Sequence, residues 1–147
     1  MVNAAHADQT AYRALLKEKG LRATSPRLVV MVTLRELNCP VTHDEVMSNL
    51  PPGAYDKASI WRVLSDLTAV GILRRMDLGD RNWRYEFVDE NQTAEDSHPH
   101  FLCEACGVVS CLPALKVTTL DGSLPQVLTH ASFQIRIAGT CQVCLAS

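Results

Sequence analysis

The sequence predicts an α+β chain in two parts, a helical segment closed by a β-hairpin and then a small cysteine-rich unit. Three observations carry that prediction. Capped segments with helical apolar spacing fill residues 8–71, and two short alternating runs flank a Gly79-Asp80 turn. Two C-x-x-C pairs lie beyond residue 102. The chain has 147 residues, 47% apolar and 20% charged, which is a globular composition for one ordinary domain or two small ones.

Asp8 is expected to cap a first helix through about Lys19, with Gly20 ending it and Lys17 and Lys19 suitably placed in its last turn. Ser25 as N-cap and Pro26 at the first helical position open a second helix to about Leu37. Thr42-His-Asp-Glu45 is a capping box, so a third helix starts there and ends near Leu50, before Pro51-Pro52-Gly53 breaks the chain. A fourth helix runs from about Lys57 to Val70. Its Ile60, Val63, Leu64, Leu67 and Val70 share one face.

Trp61 falls roughly 120° from that apolar stripe. Either another element covers it, or it belongs to a contact surface with Ser59, Arg62 and Ser65. The runs Ile72–Asp77 and Trp83–Val88 around the turn form a hairpin. Helices followed by such a hairpin describe a winged helix, whose last helix enters the DNA major groove while the wing lies on the backbone. Arg74, Arg75, Arg81 and Arg84 on the wing suit phosphate contact. Arg13, Lys17, Lys19, Arg22, Arg27 and Arg35 add basic charge against only Glu18 in residues 11–35. The expected DNA-binding set is Arg22, Lys57, Ser59, Trp61, Arg62, Arg75 and Arg81.

Charge and thiols divide the chain in opposite senses. Residues 1–88 hold twelve of the fourteen Lys and Arg and ten of the sixteen Asp and Glu, a surplus of two positive charges. The remainder carries a deficit of four and five of the six cysteines. Cys103-x-x-Cys106 and Cys141-x-x-Cys144 together supply a closed tetrahedral Cys₄ site for a structural Zn²⁺. The 34 residues between the pairs exceed the spacer of a zinc ribbon, so a small subdomain must fold there. A cytosolic, DNA-binding chain argues against resting disulfides, and neither motif sits in a βαβ unit of the thioredoxin kind. His98-Pro-His100 precedes the first pair. Two imidazoles at i, i+2 on a strand share a face and reach one ion, with Glu86 as an anionic partner and Cys111 as either a further donor or a small buried hydrophobe.

Gly20-Leu-Arg-Ala-Thr-Ser-Pro-Arg27, the Thr42 capping box, Ser59-Ile-Trp-Arg62, Gly71-Ile-Leu-Arg74, Arg84-Tyr-Glu86, His98-Pro-His100, Cys103-x-x-Cys106-Gly107 and Gly139-Thr-Cys141-x-x-Cys144 resemble, in order, the ferric-uptake-regulator family of metal-dependent repressors. The resemblance implies a winged-helix domain over residues 1–88, a hinge at 89–97 and an α/β zinc-binding dimerisation domain over 98–147. It implies a homodimer that binds operator DNA when an inter-domain sensing site of Glu86, His98, His100 and Cys111 holds a second ion, Zn²⁺ or Fe²⁺. Metal would then fix the angle between domains and so the spacing of the two recognition helices.

Several positions depart from the family pattern. Pro40 stands where the family has a His before the third helix, with Cys39 and His43 beside it. Cys111 replaces a frequent acidic ligand, Ser97 and Pro99 thin out the His-rich run, and Phe133 occupies a ligand position with His130 out of register. An additional metal site in the dimerisation domain is therefore expected to be missing. The function expected is a metal-responsive repressor of metal homeostasis. The alternatives are a thiol- or peroxide-responsive regulator using Cys39 or Cys111 and, outside the family, a zinc-dependent redox chaperone. A zinc deaminase would need H-x-E paired with P-C-x-x-C, but His98-Pro-His100 lacks the Glu and no P-C-x-x-C occurs, so no enzyme is expected. The longest apolar run, residues 28–34, is far short of the roughly 18–20 residues of a membrane span, and no signal peptide is visible, so a cytoplasmic chain is expected.

Overall fold

The computed structural model describes residues 3–88, 98–129 and 135–147, with side chains from Gln9 onward. It divides into two units, Met1–Asp89 and Glu90–Ser147. In the first, α1 spans Asn3–Glu18. Asp8 therefore lies inside α1 rather than capping it, because the upstream Ala4, Ala5 and Ala7 favour helix and carry it further back. Gly20, at φ +76°, closes the other end, and Leu21 N–H reaches the Leu16 carbonyl at 2.7 Å.

Helix α2 covers Ser25–Leu37 with Thr24, not Ser25, in the N-cap position. Ser25 is itself helical, and its hydroxyl shares a hydrogen bond of 3.0 Å with the Tyr55 hydroxyl. After the two-residue strand β1 (Val41–Thr42), α3 spans His43–Ser48. Both halves of its capping box form: Glu45 N–H donates to Thr42 Oγ1 at 3.2 Å and Thr42 N–H donates to Glu45 Oε2 at 2.7 Å. It stops before Leu50 because the residue preceding Pro51 is disfavoured in helical conformation.

Helix α4, Lys57–Ala69, is capped by Asp56, whose carboxylate accepts the Ser59 N–H at 2.9 Å. Strands β2 (Leu73–Asp77) and β3 (Trp83–Phe87) follow, and the sheet order is β1-β3-β2, antiparallel throughout. Leu16, Val30, Met31, Val46, Ile60 and Leu64 form the centre of one apolar core that reaches Leu73 and Tyr85 on the sheet. Each such side chain contributes about 1.5–3 kcal/mol on burial. The first unit is a winged helix.

In the second unit, β4 (His100–Cys103) is the central strand of a three-stranded sheet. Strand β5 (Val109–Cys111) pairs with it antiparallel, and β6 (Arg136–Gly139) pairs with it parallel. A 3₁₀ turn at Gln126–Leu128 and the short helix α5 (Gln142–Leu145) complete the described elements. The chain is α+β as expected. The hinge expected at 89–97, together with Ser97, His130 and Phe133, lies outside the described residues. No helix among the described residues is long and apolar enough to cross a membrane.

Candidate metal centres and nucleic-acid interface

Parallel pairing of β4 with β6 aligns Cys103 with Gly139, so the turn after β4 and the turn after β6 end side by side. The first turn is closed by Gly107 at φ +75°, with its N–H on the Cys103 carbonyl at 2.8 Å. The second leads into Cys141, the N-cap of α5, and Cys144 lies one turn along that helix. The sulfurs of Cys103, Cys106, Cys141 and Cys144 all lie within 4.8 Å of one another. Cys106 Sγ and Cys141 Sγ are 3.9 Å apart, too far for a disulfide. Four sulfurs at about 2.3 Å from one tetrahedral zinc would sit about 3.8 Å from each other. The donor set fits a zinc ion.

The electrostatics point the same way. Backbone N–H groups of Cys141 (at 3.2 Å) and Cys106 hold the buried Cys103 thiol down to about 6, well into thiolate. Hydrogen bonding with the Cys141 and Cys106 thiols pushes Cys144 up to about 12, with the neighbouring Cys103 adding to that shift. Four thiolates cannot coexist this closely without a cation between them.

A second cluster lies at the start of the same sheet. In the β4–β5 register His100 stands opposite Cys111, and His98 lies two residues before His100. Ligand atoms of His98, His100 and Cys111 fall within 4.8 Å of one another, with the imidazole centroids 5.0 Å apart. Leu112 N–H donates to the Pro99 carbonyl at 3.0 Å and continues the ladder beneath the cluster. Two imidazoles and a thiol suit zinc or a comparably soft ion. Glu86 belongs to the first unit, where its carboxylate accepts from Arg74 Nε at 2.5 Å.

In the winged helix Arg22, Lys57, Arg62, Arg75 and Arg81 are exposed, and Trp61 is 46% exposed rather than covered. The His43 ring meets the Trp61 edge at 5.9 Å between centroids, while His43 Nε2 is 3.0 Å from the Lys57 carbonyl. Lys57 also reaches Asp44 at 3.1 Å. The Ser59 hydroxyl is turned back on the cap, donating to Asp56 Oδ2 at 2.6 Å.

One arginine expected on phosphates serves the fold instead. Arg84 is only 2% exposed and forms ion pairs with Glu45 at 3.2 Å and Asp80 at 2.8 Å. It stands opposite Met76 on the other face of β3 from Tyr85, and its two acids enclose it there. Arg74 is ion-paired with Glu86. Sequence reasoning gave no role to Trp83, whose ring lies under the Arg75 guanidinium at 4.1 Å. Its place at the first residue of a wing strand was the available signal.

A winged helix carried on one chain with a four-cysteine cluster and a His-His-Cys cluster defines a class of metal-binding, helix-turn-helix proteins. Residues 18–134 match the model of the ferric uptake regulator family, and the chain belongs to that family. It is 29% identical over 107 residues to ferric uptake regulation protein 1 of Mycolicibacterium fortuitum, covering 71% of this chain. That match spans 62% of the relative, less than two thirds of its length. Identity to the peroxide-responsive repressor PerR of Staphylococcus aureus is 26% over 136 residues, covering 89% of this chain and 87% of the repressor. Among solved structures, the Helicobacter pylori ferric uptake regulator superposes with a TM-score of 0.65 at 16% identity, over 99% of this chain and 96% of that one.

Proposed function

We propose that the chain is a cytoplasmic, metal-responsive transcriptional repressor rather than an enzyme, binding operator DNA as a homodimer to control metal homeostasis. The observation that carries this reading is the presence of two separate donor clusters on one sheet, joined to a winged helix in the same chain. The all-cysteine cluster would hold a structural Zn²⁺, which supplies folding energy and no chemistry. His98, His100 and Cys111 would hold the regulatory ion, with Glu86 as a fourth ligand once its pair with Arg74 is given up. A thiolate beside two imidazoles favours Zn²⁺, whereas the imidazoles with Glu86 alone also suit Fe²⁺. Arg22, Lys57, Ser59, Trp61, Arg62, Arg75 and Arg81 form the proposed DNA face, with Trp61 and Arg62 on the bases.

The similarity to a peroxide-responsive repressor does not favour peroxide sensing for this chain. Pro40 and Cys111 replace residues of the family's ligand pattern, so an iron-based oxidation site lacks part of its donor set. The test is metal content per protomer together with duplex binding, before and after mild chelation. One tight zinc should remain while a second, removable ion restores DNA binding. A protein that holds only the tight zinc and binds DNA regardless of added metal would overturn the sensing role of His98, His100 and Cys111.

A further inference from the structure

Trp83 opens β3 with 47% of its surface exposed. In the β2–β3 register Leu73 pairs with Phe87, Arg75 with Tyr85 and Asp77 with Trp83, so these six residues share one face of the hairpin. That face starts in the core, where Leu73 and Tyr85 are each 1% exposed, and runs past its end at Trp83. The Arg75 guanidinium carbon lies 4.1 Å from the indole centroid, which orients the cation without neutralising it. Asp77, across from Trp83, spends a carboxylate oxygen on the Gly79 N–H at 2.7 Å. Arg74, though exposed, is ion-paired with Glu86 and Arg84 is buried in its ion pairs, while Arg75 and Arg81 are exposed. The outer end of the wing therefore presents an indole with the Arg75 cation against it, and Arg81 is exposed in the adjoining turn.

We propose that Trp83 and Arg75 form a second duplex-DNA contact, separate from the recognition helix. The indole lies against deoxyribose rings at the edge of the minor groove, and the guanidinium it holds meets the adjacent phosphate. A sugar's apolar face beside a phosphate is the chemistry that an indole beside a fixed guanidinium complements, and such a contact is blind to base sequence. This inference rests on the reading that the first unit binds DNA. It adds a residue outside the basic set that bears on affinity for every duplex, not on choice of operator.

The chain has two tryptophans, so the emission that the parent has and Trp83→Phe lacks reports Trp83. The probe is a random-sequence duplex of about three helical turns, with binding followed by anisotropy of a labelled strand. That Trp83 share, the difference between parent and Trp83→Phe emission, should be quenched as the protein takes up the duplex. In the otherwise native chain, Trp83→Ala should weaken binding to random and A·T-rich duplexes alike, by roughly tenfold, with Trp83→Phe recovering most of it. Arg75→Gln should lower the salt slope by about one. Melting and far-UV dichroism of Trp83→Ala should match the parent, since the ring lies outside the core. Parent-like duplex binding by Trp83→Ala with unquenched Trp83 emission would overturn the proposal while leaving the DNA-binding reading intact. Failure of the parent itself to bind any duplex, with metal supplied or removed, would overturn both.

Discussion

Arg84 shows how one side chain can reverse its sequence-level meaning. On a basic hairpin it reads as a phosphate ligand, yet its side chain is 3% exposed between Glu45 and Asp80. Nothing in spacing or composition separates it from Arg75, because the difference is the pair of acids, Glu45 and Asp80, that the fold brings against Arg84 alone of the two. Burial pulls the Asp80 carboxyl upward, but hydrogen bonds from Arg84 and Asn82 outweigh it and hold the group below its ordinary 3.8. The ion pair's stabilisation is thus fully present above that ordinary value and is lost as pH falls through the lower folded-state value. Arg84→Ala should cost about 2 kcal/mol of stability in the winged helix, because it empties a buried site and removes two charge-assisted hydrogen bonds. It should also remove part of the unit's acid sensitivity. Urea melts at pH 7 and across the range below 4 check both, and an exposed control, Arg81→Ala, should stay within about 0.5 kcal/mol of the parent.

At the level of elements, legibility followed the strength of the local signal. Pro26, the Thr42 capping box, Gly20 and Gly71 mark helix ends whose chemistry acts within four residues, and the helices begin or end within a turn of them. Asp8 misled because an acid before an apolar run resembles a cap, while the alanines upstream extend α1 to Asn3. The two-residue strand β1 was invisible, since Val41 and Thr42 become a strand only by pairing with Tyr85 and Arg84. That pairing brings Arg84 to Glu45, so Glu45 Oε2 serves the helix cap and the ion pair at once. Thr42→Ala should therefore cost about 1 kcal/mol alone. Combined with Arg84→Ala, the loss should depart from additivity by roughly 0.5 kcal/mol or more, because the Thr42 hydroxyl holds the backbone N–H of Glu45, whose carboxylate pairs with Arg84. A double-mutant cycle measured by chemical denaturation reads this directly. Strict additivity would mean that cap and ion pair act independently.

The two units hold themselves together by different means, and this sets their response to metal loss. The first unit has an apolar core from Leu16 to Tyr85 that needs no ion. Among the described residues of the second, Leu102 and Cys103 are buried apolar side chains, while Val117, Leu120, Val127 and Val143 are each more than half exposed. Both C-x-x-C pairs were plain in the sequence and the i, i+2 spacing paired His98 with His100, whereas the role of Cys111 stayed open until the β4–β5 register set it opposite His100. Burial of so little apolar surface among the described residues does not offset the entropy of ordering a three-stranded sheet, so the proposed zinc and the proposed partner copy would supply the difference. Strong chelation of the full-length protein should therefore dissociate the dimer and abolish amide protection in β4–β6, while protection in α2 and α4 persists. Cys103→Ser should do the same without chelator. Hydrogen exchange alongside sedimentation checks this, and retention of protected β4 amides in zinc-free protein would show that the sheet stands without the Cys₄ site. The same experiment separates the two clusters, since His98→Ala should leave fold and dimer intact and remove only the second ion.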